Sequence, residues 1–255
     1  AVLRNPALGI KAVIPVHLYG HPARMPEIMA LAAKWGVGVL EDCSQAHGAA
    51  IDGRQVGRFG AVAAYSLYPT KNLGALGDGG VLVTDDAALA ATLQALREYG
   101  WRQRYISDSP GLNSRLDELQ AAILRVKLRA LMAENARRQA IAAAYDAGLA
   151  ETPYRLPAAR PGVSHVYHQY VVRTPERERV REHLKALGIA TNVHYPAPVH
   201  LQPAYRGRLH VGPARLKETE AIQGEIMSLP IYPQMTDAAT ARVIAALREA
   251  LGDQC

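Results

Sequence analysis

Short apolar runs alternate with helical patterns from residue 11 to residue 97, and several of the runs end in polar or charged side chains. Residues 12–18 predict a buried strand. Residues 27–35 predict a helix that has Pro26 at its start and Gly36 at its end. Three further strands and a second helix are predicted at residues 37–40, 61–67, 81–84 and 86–97. This alternation is typical of an α/β fold.

The second half of the chain is predicted to contain a long helix followed by a domain boundary. Ser114 and Asp117 resemble a capping box, and apolar residues keep helical spacing from there through Tyr145. The helical pattern breaks at Gly148 and at three prolines, Pro153, Pro157 and Pro161.

We therefore expect a large domain at residues 1–150 and a smaller C-terminal domain at residues 151–255. The smaller domain mixes both element types. A strand is predicted at residues 168–172, and helices are predicted at residues 175–187 and 237–251.

The composition excludes several classes of protein. Among 255 residues, 29 Lys and Arg against 23 Asp and Glu give a net charge of +6, and 49% hydrophobic residues exclude disorder, collagen and coiled coil. The densest basic stretches, residues 136–139 and 177–181, have the pattern of solvated helix faces, so we expect no nucleic-acid partner. Cys43 and Cys255 form no disulfide framework, and no apolar run approaches the roughly 20 residues that span a bilayer. We expect a cytoplasmic protein without a membrane partner.

Asp42 and Lys71 each follow a predicted strand, so both side chains are expected at the same edge of the sheet. A lysine amine and a carboxylate are the two groups that pyridoxal 5'-phosphate (PLP) requires. The amine binds the cofactor aldehyde as a Schiff base, and the carboxylate keeps the pyridine nitrogen protonated. The spacing alone is equally consistent with a surface lysine and a strand-end aspartate that have no functional relation to each other.

Seven sequence segments in register resemble the sugar aminotransferases of the DegT/DnrJ/EryC1/StrS family, which are PLP enzymes of the aspartate aminotransferase fold type I. The segments are PVHLYG (residues 15–20), EDCSQAHGA (41–49), YSLYPTKNLG (65–74), GDGG (77–80), GLNSR (111–115), HYP (194–196) and LPIYP (229–233). The resemblance implies a mixed, mostly parallel sheet flanked by helices, with a smaller C-terminal α+β domain.

The resemblance also implies roles for individual residues. Lys71 would form the Schiff base with PLP and carry the proton between substrate and cofactor, and Asp42 would pair with the pyridinium nitrogen. Gln45 would lie against the ring or its hydroxyl. Ser66 would contact the cofactor phosphate, and Asn113 would reach the phosphate bound in the neighbouring subunit, which implies a homodimer with a shared active site.

For several other polar residues the sequence gives only weak support for a functional role, or none. His194 and Tyr195 are candidates for binding the nucleotide-linked sugar, although the HYP segment is also typical of a turn. His47 and Cys43 are more typical of packed residues than of a catalytic base or nucleophile. Ser66 and Asn113, taken singly, are also typical of residues at the ends of strands and helices. Three scattered histidines do not specify a metal site, and none is predicted: His17, His21 and His200.

The lysine at position 71 decides between two chemistries, because relatives with histidine there act as dehydratases. We therefore expect transamination, with glutamate as the amino donor and glutamine as the alternative. Residues 68–80 look most like members that aminate C3 of dTDP-linked 3-keto-6-deoxyhexoses, and amination of C4 is the alternative. The pathway stays open between antibiotic deoxysugars and surface polysaccharides.

Family members carry a further N-terminal subdomain before the PVHLYG segment, and residues 1–10 do not resemble it. That subdomain supplies a helix N-terminus for the cofactor phosphate and an aromatic residue that stacks on the ring. We therefore expect that the chain is a fragment and binds PLP weakly by itself. Two further hypotheses remain, a non-catalytic homologue that serves as a binding or regulatory partner and a nucleotide-sugar-binding module without PLP.

Overall fold

The computed structural model describes Leu3, residues 8–212 and residues 216–252. Cys255 and most of residues 1–10 lie outside the described residues. The chain separates into two compact units. We call the unit formed by Lys11–Asn135 and Pro161–Val166 the N-terminal unit, and the unit that contains Ala136–Arg160 and Tyr167–Cys255 the C-terminal unit. The change at residue 136 lies inside a helix, whereas the predicted domain boundary follows that helix. The domain assignment stays a prediction.

A four-stranded sheet organises the N-terminal unit. The strands of this unit are β1 (Ala12–Val13), β2 (Gly38–Asp42), β3 (Ala50–Ile51), β4 (Arg54–Gln55), β5 (Val62–Ser66), β6 (Gly80–Val83), β7 (Trp101–Gln103), β8 (Ile106–Ser107) and β9 (Val163–Ser164). The sheet has the order β1-β2-β5-β6, in which β1, β2 and β5 are parallel and β6 is antiparallel to β5. The prediction of a mixed, mostly parallel sheet is confirmed.

Two helices of this unit begin and end where the sequence predicts. Helix α1 (Met25–Trp35) has Pro26 in its first turn, and Gly36 closes it in the left-handed conformation with φ of 60°. The α1 side chains pack on β2, where Met25, Ala32 and Val39 belong to one apolar cluster. Helix α2 (Ala87–Arg97) is capped by the Asp86 carboxylate, which accepts hydrogen bonds from two backbone N–H groups of the first turn.

The prediction of one long helix from a Ser114 capping box is wrong. The structure has two helices, α3 (Glu118–Leu128) and α4 (Leu131–Leu149). Asp117 is the N-cap residue of α3, but no side-chain oxygen caps that end. The Ser114 backbone N–H instead donates to the Arg97 carbonyl, so tertiary contacts hold this segment in an extended conformation.

The C-terminal unit combines a two-stranded antiparallel sheet with helices. Its elements are β10 (Tyr170–Arg173), α5 (Arg177–Ala186), α6 (Lys217–Ile222), β11 (Ile226–Leu229) and α7 (Asp237–Glu249). The strand and helices predicted here are all present with ends shifted by a few residues. One large apolar cluster fills this unit, with Tyr145, Tyr170, Leu184 and Leu247 buried at its centre. In the described part of the chain, no helix has the length and apolar character needed to cross a membrane.

Candidate active site

Three loops of the N-terminal unit meet at one edge of its sheet. Because β1, β2 and β5 are parallel, their carboxyl ends lie at the same edge. Asp42 is the last residue of β2, and Ser66 is the last residue of β5. The loop that follows Ser66 contains Lys71 and returns to the same edge, since Gly80 pairs with Ser66. The fold thus gathers the candidate residues of two distant segments.

The backbone of Asp42 is held on both sides by the loop that follows β1. The Asp42 N–H donates to the Pro15 carbonyl over 2.9 Å, and the His17 N–H donates to the Asp42 carbonyl over 3.1 Å. The Asp42 side chain accepts a hydrogen bond from the Ser44 N–H at 2.9 Å. These contacts fix where the carboxylate leaves the sheet.

The Lys71 side chain is half-buried beside this carboxylate. Its backbone N–H donates to the Tyr68 carbonyl at 2.9 Å, which forms a tight turn after β5. Burial lowers the pKa of the Lys71 amine below its ordinary value, and the negative charge of Asp42 partly opposes this shift. A lysine with a lowered pKa is more often neutral and therefore a better nucleophile toward an aldehyde.

Gln45 and Ser66 lie on the same two segments as Asp42 and Lys71. The buried Gln45 amide oxygen accepts a hydrogen bond from the Tyr19 N–H at 2.6 Å, so the side chain is fixed against the loop that follows β1. Tyr19 itself has a φ of 59°, which places its N–H toward Gln45. The Ser66 hydroxyl lies 3.3 Å from the Tyr68 N–H, at the start of the turn that leads to Lys71.

Glu41 forms a buried network directly beneath Asp42. Its carboxylate accepts hydrogen bonds from His17 Nε2 at 3.1 Å and from the N–H groups of Gly57, Phe59 and Gly60 at 2.8, 2.7 and 2.7 Å. Burial opposes ionisation, but these four donors outweigh it and hold the pKa of Glu41 below its ordinary value. The network joins the loop after β1 to the loop before β5.

His17, Glu41 and Cys43 place three donor atoms within 4.8 Å of one another, the distance expected of metal ligands. Both carboxylate oxygens already accept hydrogen bonds, and His17 Nδ1 accepts one from the Ala23 N–H at 2.9 Å. Burial raises the pKa of the Cys43 thiol to about 12, so it is protonated near neutral pH. The cluster is therefore a hydrogen-bonded core and carries no metal proposal.

His47 lies close to Lys71 without a defined catalytic partner. Its ring is 3% exposed and tilts against the Tyr65 ring, with centroids 5.3 Å apart. Burial, with a smaller contribution from the positive charge of Lys71, lowers the pKa of His47 to about 4. The ring is thus neutral at physiological pH and cannot act as a cation there.

Asn113, His194 and Tyr195 do not lie on the three loops of this edge. Asn113 is exposed, and its side-chain oxygen accepts a hydrogen bond from Arg115 Nε at 3.0 Å. His194 and Tyr195 belong to the C-terminal unit, where His194 Nδ1 lies 2.8 Å from the Ser228 hydroxyl oxygen and Tyr195 is half-exposed.

Two residues that the sequence analysis missed connect the loops of this edge, Asn72 and Asn135. Asn72 follows Lys71 in the YSLYPTKNLG segment, so its position in the sequence could have marked it as a functional candidate. Asn135 lies on α4 and gave no local signal, because its partners are 63 and 88 residues away.

A cavity of about 1000 Å³ runs along β6, but it does not contain the paired lysine and aspartate. Its lining comes from β6, from α2 and from residues 114–116. The candidate site is therefore defined by the sheet edge and its side chains.

Comparison with known protein families identifies the family of this chain. Residues 4–248 match the DegT/DnrJ/EryC1/StrS aminotransferase family. The chain belongs to this family. Its aminotransferases depend on PLP, and the similar solved structures confirm the fold class of PLP fold type I.

Individual relatives are similar over nearly the whole chain. The dTDP-3-amino-3,4,6-trideoxy-alpha-D-glucose transaminase of Streptomyces venezuelae is 48% identical over 94% of this chain and 63% of its own length. The erythromycin biosynthesis sensory transduction protein EryC1 of Saccharopolyspora erythraea is 46% identical over 93% of this chain and 65% of its own length. The crystal structure of S. venezuelae DesV in complex with a ketimine intermediate has a TM-score of 0.90, with 48% identity over 94% of this chain and 64% of DesV. The chain thus spans less than two thirds of each of these relatives.

Proposed function

We propose that this chain carries the lysine centre of a PLP-dependent sugar aminotransferase. The observation that carries the proposal is the placement of the Lys71 amine and the Asp42 carboxylate at one sheet edge, close enough for the carboxylate charge to act on the pKa of the amine. Membership of the aminotransferase family supports it.

The donor set fits PLP chemically. The lowered pKa of Lys71 favours the neutral amine that an aldehyde requires, and Asp42 is a carboxylate held by backbone contacts on both sides. Bound PLP supplies an electron sink that stabilises negative charge on the substrate carbon.

The proposed roles of the residues are those that the family resemblance implies. Lys71 would hold the cofactor aldehyde and then carry the proton at its Nζ atom, while Asp42 would keep a proton on the pyridine nitrogen. Gln45, whose position is fixed by the Tyr19 N–H, would orient the ring or its hydroxyl. Ser66 would hydrogen-bond to the phosphate. The polar groups would hold the cofactor in place, and Lys71 would transfer the proton.

We propose a nucleotide-linked keto-deoxysugar as the amino acceptor, with amination at C3 and dTDP as the carrier. The S. venezuelae relative, a dTDP-3-amino-sugar transaminase, supports this position and this carrier. Glutamate is the proposed donor. His194 and Tyr195 are the proposed contacts to the sugar or its nucleotide, because the exposed Tyr195 ring offers a stacking surface.

A second copy of the chain is the proposed partner. Asn113 is exposed and would reach the phosphate in the neighbouring subunit, which makes the site shared. The flanking surface is apolar, with Leu112, Leu119 and Val126 exposed by 72, 74 and 65%. Exposed apolar patches of this kind often mark interfaces, because burying apolar surface is favourable. We place the protein in the cytoplasm, in line with its few cysteines.

The function is tested by separating the two half-reactions. Purified protein loaded with PLP is mixed with glutamate, and 2-oxoglutarate formation is followed together with the change in cofactor absorbance. A panel of 3-keto and 4-keto nucleotide sugars is then offered. We expect amino transfer to the 3-keto sugars. Transfer only to 4-keto sugars would correct the position. No reaction with any donor, both in this chain and in an N-terminally extended version of it, would contradict the enzyme proposal.

The alternative is a non-catalytic homologue that acts as a binding or regulatory partner. The S. erythraea relative is named a sensory transduction protein, which favours testing this alternative. The variant Lys71→Ala distinguishes the two functions. A regulatory partner keeps its effect in this variant, whereas an aminotransferase loses covalent cofactor binding and activity.

A further inference from the structure

Two amide side chains connect the loop that carries Lys71 with the loop that carries Asp42. Asn72 directly follows Lys71, and its Nδ2 donates to Asn135 Oδ1 at 2.8 Å and to the Val166 carbonyl at 3.0 Å. Asn135 Nδ2 donates to the His47 carbonyl at 2.8 Å. His47 lies in the loop that begins after Asp42, so one side chain on α4 spans both loops.

This bridge is buried and has little room to shift. Asn72 is 6% exposed and Asn135 is 3% exposed, so water cannot replace the hydrogen bonds between them without a rearrangement. The backbone at Gly48 approaches the bridge closely. A Cβ atom added there would lie 2.9 Å from Asn135 Nδ2, and Gly48 has a φ of +83° that other residues rarely adopt.

An amide is the side chain that can form this bridge. Asn135 accepts a hydrogen bond through its oxygen and donates one through its nitrogen, in opposite directions. A carboxylate of the same shape would keep the acceptor and lose the donor, and an apolar residue would leave the His47 carbonyl and the Asn72 amide unpaired. The identity of the residue is thus set by the two loops.

We propose that Asn135, acting through Asn72 and the His47 carbonyl, is a positioning residue that holds the Lys71 loop at a fixed separation from the Asp42 loop. This inference rests on the proposed function of Lys71 and Asp42 and deepens it. Asn135 acts through its neighbours, because its hydrogen bonds are to Asn72 and His47. Its loss therefore alters the environment of the lysine amine before any cofactor binds.

The test is competitive labelling of lysine amines in the cofactor-free protein across a pH series, read for the Lys71 peptide by mass spectrometry. In Asn135→Ala the loop loosens and the amine becomes more exposed, and since burial is the larger influence on its pKa, that pKa rises. We expect the labelling midpoint to move up by about one pH unit, which is a tenfold lower labelling rate at neutral pH. Asn72→Ala should give the same shift, and the double variant should add little to it, because the two residues act as one unit.

The matched control is Tyr145→Phe, which removes the hydrogen bonds from the Tyr145 hydroxyl to the Pro230 carbonyl and to the Met235 sulfur in the C-terminal unit. It should lower the melting temperature without moving the Lys71 midpoint. If Asn135→Ala does not fold, Asn135→Ser, which introduces no charge beside the Lys71 loop, replaces it in the comparison. An unchanged midpoint in folded Asn135 and Asn72 variants would overturn the inference. Failure of Lys71 to bind PLP, both in this chain and in an N-terminally extended version of it, would instead overturn the proposed function. The two outcomes are distinguishable because the labelling test contains no cofactor.

Discussion

The sheet edge of the N-terminal unit and the core of the C-terminal unit are buried by different means. At the edge, several of the buried side chains are polar, and Glu41, Asn72 and Asn135 each hold backbone or side-chain partners by hydrogen bonds. In the C-terminal unit the buried side chains are mostly apolar, and a single cluster contains Leu184 and Leu247.

This difference corresponds to different tasks. Hydrogen bonds are directional, so a buried polar network fixes where loops lie, although each bond adds only about 1 kcal/mol to stability. Apolar packing is non-directional and stabilises roughly in proportion to the area removed from water. We conclude that the edge is organised for placement of Lys71 and Asp42, and that the C-terminal core is organised for stability.

The largest effect is expected from Lys71→Ala. The variant should lose covalent cofactor binding, and transaminase activity should fall by about 10³-fold or more, because one residue acts as both the anchor and the proton carrier. The free energy of unfolding should change little, since the half-buried amine has a lowered pKa and gains little from its surroundings. Cofactor absorbance and urea denaturation measure the two quantities. A variant that keeps full activity would exclude Lys71 as the anchor.

Glu41→Ala should be the most destabilising change at the edge. It removes a buried carboxylate and leaves His17 and three backbone N–H groups without their partner, which costs roughly 3–5 kcal/mol. Urea denaturation followed by circular dichroism measures the loss.

The matched change in the other region is Leu247→Ala, which leaves a cavity in the C-terminal core and costs about 2–5 kcal/mol. The two variants should have similar stability, but only Glu41→Ala should change the pH dependence of Lys71 labelling. Equal effects of both variants on Lys71 would contradict the distinction between the two regions.

Acid should weaken the N-terminal unit through two buried histidines. Burial lowers the pKa of His47 to about 4 and that of His165 to about 3, against about 6.5 in an unfolded chain. Above pH 6.5 both states are neutral and stability is unaffected. Below pH 6.5 the two histidines bind protons in the unfolded chain before they do so in the folded chain. The free energy of unfolding therefore falls by roughly a few kcal/mol as the pH drops toward 4.

Urea denaturation at a series of pH values checks this expectation. His47→Gln and His165→Gln should each make the decline between pH 6.5 and 4 shallower. The lowered pKa of Glu41 adds a further loss of stability only below its ordinary value of 4.5. A wild-type stability that is constant from pH 7 to 5 would contradict the neutral, buried state of both rings.

The smallest effect is expected from an exposed ion pair. Arg24 and Glu27 lie 3.8 Å apart on the surface of α1, with side chains 69 and 60% exposed. Arg24→Ala should change the free energy of unfolding by less than about 0.5 kcal/mol, because water and salt screen the pair. Thermal unfolding in low and high salt measures it. A change in the free energy of unfolding as large as that of Glu41→Ala would contradict the expectation that water and salt screen this pair.

Local signals predicted much of the fold. Gly36 after α1 and Asp86 before α2 work through neighbouring residues, so their positions are readable from the sequence. The polar residues at strand ends likewise predicted the sheet edge, because parallel strands must bring Asp42 and Ser66 to one side.

Long-range contacts explain what local signals could not predict. Ser114 resembles a helix cap, but its N–H bonds to Arg97, so α3 begins later. Asn135 looks like any polar residue on a helix, and its importance depends on partners distant in sequence. The roles of all the candidate site residues, Lys71 and Asp42 included, stay predictions.

We propose that Lys71 is the residue that binds PLP. Locating the lysine that PLP modifies tests this proposal. The purified protein is titrated with PLP, reduced with borohydride and digested, and the modified lysine is located by mass spectrometry. In this chain, or in an N-terminally extended version of it, we expect a new visible absorbance band and a label on the peptide that contains Lys71, with both absent in Lys71→Ala. A label on another lysine, or an equal label in Lys71→Ala, would contradict it.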